Sequence, residues 1–542
     1  LIVQDLAVSY SKLGDANREL GNTRAARNAY EESLKLVQKF SRNNPSSAKA
    51  QRLLLSVHER LGDVNLRSGN SPGALDEFKE SFSICEKLAK DDPRGTETQR
   101  NLYTLYHKLG TASLQMGDAP AARSYYLKSV VLNEKSLQPD AEDAQAERDL
   151  SCAYETLGDL DLEGNIPAAQ ESYGKSFQLR EKLARDDPRN AQAQRDFAMS
   201  LARVGMAGVR AGETAAARDT FAASLSIIEK LANDDPTDAT TQGNLAKCYL
   251  NWGDVNRALG NPLAARDAYQ KALEIYQRLA HDDPGNANVK SWVAASYACL
   301  GDANLQVGNV AAARDAYHNS LNLNQELTHD DSLNVEKQGK LAYSFGRLGD
   351  LEAKNEDFPA AVTWFAKGVE VLQRLDRSGK LANRPMHQRW LADQRKASEG
   401  CQTAVRAIDS LDFALARPKQ EVAALLGIRT RVLARRGNSA DAAAAAEKLA
   451  AIEPLDGENL FQAAEGYALC TGGHVPANSS ANSSDADTGL KSRSAARAIE
   501  LLKHAYAAGY FQYAEKRAKL SDDRNLDGIR SLDEFKKLAA EI

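Results

Sequence analysis

Six aspartates stand directly after a leucine–glycine pair or its variant: Asp15, Asp63, Asp159, Asp254, Asp302 and Asp350. Thr111 and Met206 interrupt the series. A ladder of carboxylates at one recurring place favours a basic or extended partner segment. The competing use of the same carboxylates is to bond neighbouring helices and support their stacking. Other groupings invite chemistry less strongly. Asp523, Asn525 and Asp527 with Gly528, and Glu534 at the twelfth position, have the oxygen-donor spacing of a calcium-binding loop. Against that, Leu526, Ile529, Leu532 and Phe535 recur every three residues, as an apolar helical face would. Gly174, Lys175 and Ser176 match the end of a phosphate-binding loop, but Ala169 stands where its first glycine is required. His281 and His329 each precede an acidic residue at the same repeat position, where Lys90, Arg185 and Asn233 stand elsewhere, so they read as tolerant turn positions rather than metal ligands.

No catalytic, cofactor-binding or metal-binding constellation emerges from the residues present. There is no HExxH, no GxSxG and no zinc-spaced cysteine set. Cys85, Cys152, Cys248, Cys299, Cys401 and Cys470 form no CxxC pair and read as small hydrophobes in helix contacts, with a reducing compartment as the default. The 542 residues are 43% hydrophobic and 26% charged with net charge −5, which gives no global argument for nucleic acid or anionic membrane. No apolar run of about 18 residues predicts a membrane span, and no signal peptide is evident; a cytoplasmic location is expected. Leu1 lies inside a repeat, so further chain is expected before it.

The elements that hold these residues come from an internal period. Gly14, Gly62, Gly110, Gly158, Gly205, Gly253, Gly301 and Gly349 are 48 residues apart, with a single step of 47 where one residue is lost at the end of the fourth unit's first helix. Each unit predicts two helices. In the sixth, Leu245, Tyr249, Trp252, Gly253 and Asn256 share one helical face, Gly260 and Pro262 mark a turn, and Ala265, Tyr269, Ala272, Leu273 and Tyr276 share the next face. Proline after an acidic pair, as in Asp282-Asp283-Pro284, stops the second helix. The acidic pair is expected to cap the next helix; in the seventh unit the signal weakens to Asp330-Asp331-Ser332.

In the first unit Tyr10, Leu13, Gly14, Ala26, Tyr30 and Pro45 follow the order large, Leu, Gly, small, aromatic, Pro. The aromatic returns as Phe78, Tyr126, Tyr173, Phe221, Tyr269, Tyr317 and Phe365. This pattern resembles the tetratricopeptide repeat over about residues 1–376. The units depart from the usual length of about 34 residues, so both helices gain about two turns. The resemblance implies an all-α, right-handed α-solenoid whose first helices line a groove, with the aspartates facing into it. Separately, a calcium loop of the EF-hand family wants an apolar residue at its eighth position, where this chain has Arg530. Asn17, Asn65, Asn256 and Asn304 replace the family's large residue and are expected to form an interhelix hydrogen-bond ladder. The carboxylate-clamp branch of the family grips acidic peptide tails with Asn and basic groove residues; aspartates put that ligand class in doubt.

Beyond residue 376 the period is lost. Degenerate helical hairpins are expected over 377–472, a flexible Gly/Ser/Asn-rich linker over 473–493, and a helical cap over 494–542. The linker's Asn478 and Asn482 match a glycosylation pattern that has no meaning inside a cell. The segments 495–502 and 526–535 resemble the C-terminal tail of large bacterial serine/threonine protein kinases with tetratricopeptide regions. No Gly-rich loop with V-A-I-K, no H-R-D and no D-F-G occurs. Three readings are compatible with this organisation: a protein–protein interaction scaffold with a protein or peptide partner of basic character, the regulatory region of such a kinase, or a purely structural spacer with no groove ligand. If the recurring aromatics fill the space between helices, Tyr269→Ala costs about 3–5 kcal/mol; a thermal melt unchanged by the substitution would sink that packing role.

Overall fold

A computed structural model describes residues 2–19, 22–92, 95–136, 143–162, 164–329, 334–382, 384–453, 456–471 and 485–542. Among them there is no strand, and no helix is long and apolar enough to cross a membrane. Helices come in consecutive pairs: α1 (Ile2–Glu19) with α2 (Thr23–Asn43), α3 (Ala48–Arg67) with α4 (Ser71–Asp91), α5 (Thr96–Gln115) with α6 (Ala119–Ser136), α7 (Ala144–Asp161) with α8 (Ile166–Asp186). The series continues as α9 (Ala191–Arg210) with α10 (Thr214–Asp234), α11 (Ala239–Ala258) with α12 (Pro262–Asp282), α13 (Ala287–Gln306) with α14 (Val310–Thr328), and α15 (Val335–Lys354) with α16 (Phe358–Arg377). α7 is 18 residues long where α5 and α9 have 20, the physical trace of the single 47-residue step.

The fold is all-α, an α-solenoid of helix pairs. The chain packs as two compact units, Leu1–Ser344 with Val371–Arg389, and Phe345–Glu370 with Trp390–Ile542. Within the first, each helix packs on its neighbours in sequence, so the core is a chain of small clusters rather than one centre. That is the expected economy of a repeat array, where each pair buries its apolar face against the next.

The phased glycine and the recurring aromatic are one device. A Cβ placed on Gly110 would lie 2.6 Å from Tyr126 Cε1, and on Gly158 the same distance from Tyr173 Cε1. Gly14, Gly62, Gly253, Gly301 and Gly349 meet Tyr30, Phe78, Tyr269, Tyr317 and Phe365 in the same way. Gly205 meets Thr220 first and then Phe221. Each ring therefore occupies the space a side chain on the facing glycine would take. All eight aromatics are at most 5% exposed, and Tyr30, Phe78 and Tyr269 are fully covered.

The helix ends follow local chemistry. α3, α11 and α13 stop at Gly69, Gly260 and Gly308, whose φ values of 74°, 77° and 81° close a left-handed turn. The next amide returns to the helix, as in Asn70 N to Asn65 O and Asn261 N to Asn256 O, both 2.9 Å. At the matching place in the eighth pair stands Glu356, with φ 61°. It is the only non-glycine with positive φ among the described residues, a conformation costing about 1 kcal/mol for an L side chain.

The acidic pairs do not cap the next helix. Asp92, Asp187, Asp235 and Asp283 close the preceding one, each amide bonding to a leucine carbonyl four residues back. The caps are Asn190, Asp238 and Asn286, three residues further on, because only there does the side chain reach the first free amides. The weakened pair Asp330-Asp331-Ser332 lies outside the described residues.

The second compact unit contains α17 (Pro385–Asp409) from Trp390 on, α18 (Leu411–Leu415), α19 (Lys419–Arg435), α20 (Ser439–Ala450), α21 (Gly457–Leu469) and α22 (Asp485–Ala507). Three short helices complete it: α23 (Ala514–Asp522), α24 (Asp527–Arg530) and α25 (Asp533–Glu541). The expected hairpin around Gly437 is α19–α20, with Gly437 at φ 80°. The expected linker falls mostly outside the described residues, Asn478 and Asn482 included, but its last part, 485–493, is the first two turns of α22. Glu356 belongs to this unit and bonds Arg431 Nε at 2.8 Å and Arg435 Nη1 at 2.6 Å, both on α19.

The glycine seats and the open glycines predict opposite signs. Gly110→Ala overpacks its ring and destabilises by about 1–3 kcal/mol. Gly174→Ala, in the middle of α8 with no atom near its added Cβ, stabilises by about 0.5–1 kcal/mol. Urea midpoints of the two variants should move in opposite directions from the parent.

Candidate interaction surface

The aspartates after the phased glycines are placed by the same seats. Tyr30 donates its hydroxyl to Asp15 at 2.7 Å, Tyr173 to Asp159 at 2.7 Å, Tyr269 to Asp254 at 2.6 Å and Tyr317 to Asp302 at 2.6 Å. In the third unit Thr111 meets Tyr126 at 3.2 Å. Every tyrosine in the series thus has a polar partner one residue beyond its glycine, which a buried hydroxyl needs. Where the ring is a phenylalanine that demand vanishes: Met206 stands beside Phe221, while aspartates remain at 63 and 350 beside Phe78 and Phe365. Burial first, and then the neighbouring carboxylates, push the hydroxyls of Tyr30, Tyr173 and Tyr269 far above the ordinary tyrosine range.

A second bond joins consecutive units. Asp15 accepts from Arg60 Nε at 3.1 Å, Asp63 from Lys108 Nζ at 2.9 Å, and Asp159 from Arg203. Each base sits two residues before the next phased glycine. Burial opposes ionisation of Asp15, but hydrogen bonds from Arg60 and Tyr30 outweigh it and hold the carboxyl below its ordinary range. The sixth unit breaks the rule. The residue at the base's position is Cys299, and among the described residues Asp254 keeps Tyr269 and a distant Arg257 at 4.0 Å. The surrounding protein raises its pKa, Tyr269 and Arg257 oppose that, and the charge of Asp302 adds to the rise. Side chains of Asp15 and Asp63 are 29% and 27% exposed, that of Asp159 is 45% and that of Asp254 is 57%. Asp350, in the other compact unit, is 57% exposed and 3.9 Å from Arg347.

Another ladder runs beside the first and was not expected. Arg100 bonds Asp149 at 2.7 Å and Arg148 bonds Asp196 at 2.8 Å. The signal lay in the period: Arg100, Arg148 and Arg195 stand ten residues before the phased glycine in successive units, then give way to Gly243, Ser291 and Gly339. In the fourth unit Arg180, 5% exposed, occupies a place held by Val37, Cys85 and Ile228 elsewhere. It pairs with Glu155 at 2.7 Å, and burial still raises the pKa of that acid against the pull of Arg180 and Arg203.

The expected interhelix asparagine ladder is corrected. Asn17 donates to Leu13 O at 2.8 Å and Asn256 to Trp252 O at 2.7 Å, each within its own helix. Asn65 Oδ1 accepts from Asn70 in the following turn at 3.3 Å. A short amide reaches the carbonyl four residues back more easily than a neighbouring helix.

The remaining motifs are absorbed by structure. Gly174, Lys175 and Ser176 lie within α8, and Lys175 sits 5.3 Å over the Tyr154 ring. His281 is in the last turn of α12, and His329 follows the end of α14. Cys85, Cys248, Cys401 and Cys470 are buried, Cys299 is half-buried and Cys152 is exposed. The segment from Asp523 forms a short turn and α24, with Leu526 and Ile529 fully buried. Asn525 donates to Glu465 Oε1 at 3.1 Å, Asp527 pairs with Arg530, and Arg530 also donates to Asp523 O at 2.7 Å. Among the described residues no three His, Cys, Asp or Glu side chains converge as metal ligands.

These features define a tandem helix-pair solenoid with charged rungs between units. Residues 7–38 and 242–278 match the tetratricopeptide repeat family, and the chain carries tetratricopeptide repeats. No curated protein matches it. Among solved structures it is similar to the apo form of RapI, at 12% identity over 73% of this chain and 99% of that one, with TM-score 0.40. It is also similar to a Rap protein complexed with Competence and Sporulation Factor, at 14% identity over 74% and 99%, with TM-score 0.38. A tetratricopeptide repeat protein from Parabacteroides merdae matches at 14% identity over 63% and 99%, with TM-score 0.33.

Glu465, 6% exposed on α21, carries the clearest pH dependence. Burial, and then the shared proton and charge of Asp523, push its carboxyl up to about 8. Its folded pKa is raised, so the stability it contributes is complete below the ordinary carboxyl range, about 4.3. That contribution falls as pH rises and is gone above about 8. Glu465→Gln should flatten the decline of urea midpoints across that window; a parent and variant with parallel pH profiles would contradict the assignment.

Proposed function

We propose that this chain is a protein–protein interaction scaffold that receives a partner segment along the face of its first helices. Asp254 carries this reading. It lies on the carboxylate ladder, more than half exposed, and no base from the next unit neutralises it. Its raised pKa and the nearby charge of Asp302 mean that an incoming cation would relieve an unfavourable ionisation. Asp15, Asp63 and Asp159 already hold Arg60, Lys108 and Arg203, so their work is to fix the spacing of units. The proposed partner is thus a segment bearing a basic side chain opposite the sixth unit, rather than a polybasic one spread along the whole ladder. The kinase-tail resemblance rests on short sequence segments, and nothing in the fold adds to it.

Affinity capture with the native chain, Asp254→Lys and Asp63→Lys separates the two uses of the ladder. Asp254→Lys should lose a captured partner and also melt lower, because it removes the acceptor of the buried Tyr269 hydroxyl, whereas Asp254→Asn keeps an acceptor, should melt like the parent and should weaken capture. Asp63→Lys should keep the partner and melt lower, because Lys108 then faces a like charge. Identical partner sets from the native chain and Asp254→Lys would remove the basic-segment reading.

A further inference from the structure

The second helix of the third unit, α6, differs from its seven counterparts on the side that faces water. One and five residues after the seated aromatic, the other units carry Glu31 and Lys35, Lys79 and Ser83, Gly174 and Gln178, Ala222 and Ser226, Gln270 and Glu274, His318 and Asn322, Ala366 and Glu370. The third unit carries Leu127 and Val131. They are 36% and 45% exposed, one turn apart on the same stripe. The repeat itself is the control here: the same backbone position is built polar or small seven times and strongly apolar once.

The stripe borders a cleft of about 400 Å³ whose floor includes Phe82 of α4 with Leu102 and Tyr106 of α5. Phe82, Tyr106 and Tyr125 run as an aromatic series, with ring centroids 4.7 and 6.4 Å apart. Two lysines flank the apolar stripe. Lys128 lies over the faces of Tyr106 and Tyr125, 5.8 and 5.6 Å from their centroids, and Lys135 lines the same cleft. Among the described residues neither ammonium group is in an ion pair, although Glu86 also lines the cleft. Lys128 and Lys135 are seven residues apart on α6, which places them about 10 Å apart along the helix.

We propose that α6 and this cleft bind an amphipathic helix of a partner protein, with an apolar stripe seated on Leu127 and Val131 and acidic side chains two turns apart meeting Lys128 and Lys135. The charge pattern selects this occupant. A second copy docked by a two-fold axis brings the same patch against itself, and with it Lys128 and Lys135 toward their own copies. This surface lies on a second helix, away from the aspartate ladder, so it does not depend on the groove reading above.

The probe is a fluorescein-labelled helical peptide of about five turns, with leucines on one stripe and glutamates flanking it. A second peptide has lysine for each glutamate. Fluorescence anisotropy on the full chain should show saturable binding of the glutamate peptide and weak binding of the lysine peptide. The double change L127Q/V131E installs the sixth unit's side chains and should weaken binding by about tenfold or more. K128E/K135E should reverse the peptide preference. Leu263→Gln, at an exposed leucine in another unit, should leave binding unchanged, and circular dichroism checks that each variant keeps its helix content. Absence of saturable binding, equal binding of the two peptides, or binding indifferent to L127Q/V131E overturns the proposal. Sedimentation that shows a dimer of the native chain and a monomer of L127Q/V131E overturns it in favour of a second copy.

Discussion

An aromatic ring lying on a bare helix backbone is the contact on which the rest of this array depends. The glycine removes the side chain that would hold two helices apart, and the ring fills the space that opens. With the ring fixed, its para position is fixed too. A tyrosine hydroxyl there is buried against one place on the facing helix, and that place must accept a hydrogen bond. The aspartates at 15, 159, 254 and 302 answer that demand, and Thr111 answers it more weakly. Three of those acids and Asp63 then differ in what reaches them from the next unit, so a packing rule becomes an electrostatic one.

This ordering explains why a residue type that looks like a binding ladder is mostly mortar. A carboxylate already shared between a tyrosine and an arginine has little left for a ligand, since its charge is met and its side chain is held. On the reading proposed above, binding capacity belongs where the pattern lapses. Asp254 lacks its next-unit base, and Leu127 and Val131 lack the polar character of their counterparts. In an array of near-copies, function is read from the differences, because what all units share is what all units need in order to stack.

The period, the two helices per unit and the aromatic seats were legible because they depend on spacing alone, and spacing survives in a single sequence. The roles of polar side chains were less so. Asn256 bonds its own helix rather than a neighbour, and the acidic pairs end one helix rather than begin the next. Both choices turn on a reach of an ångström or two, which residue order does not reveal. The Arg100–Asp149 and Arg148–Asp196 rungs were visible in principle, but only by comparing the same phase across adjacent units. The start of α22 was hidden because residues 485–493 have the Asp/Gly/Ser composition of a linker and show no helical period of apolar residues.

Glu356 gives the array a direction. The turns at Gly69, Gly260 and Gly308 are interchangeable parts, since a glycine in that conformation makes no side-chain commitment. A duplication or loss of units between such turns leaves every turn as it was. The turn at Glu356 accepts backbone strain and engages two arginines of α19, so a glycine there would remove the acid that both guanidinium groups share and leave Arg435 with its bond to Asn525. Units can be gained and lost upstream, while the eighth stays tied to α19. This one turn is therefore defined by what its side chain holds, where the others are defined by the conformation their backbone must adopt.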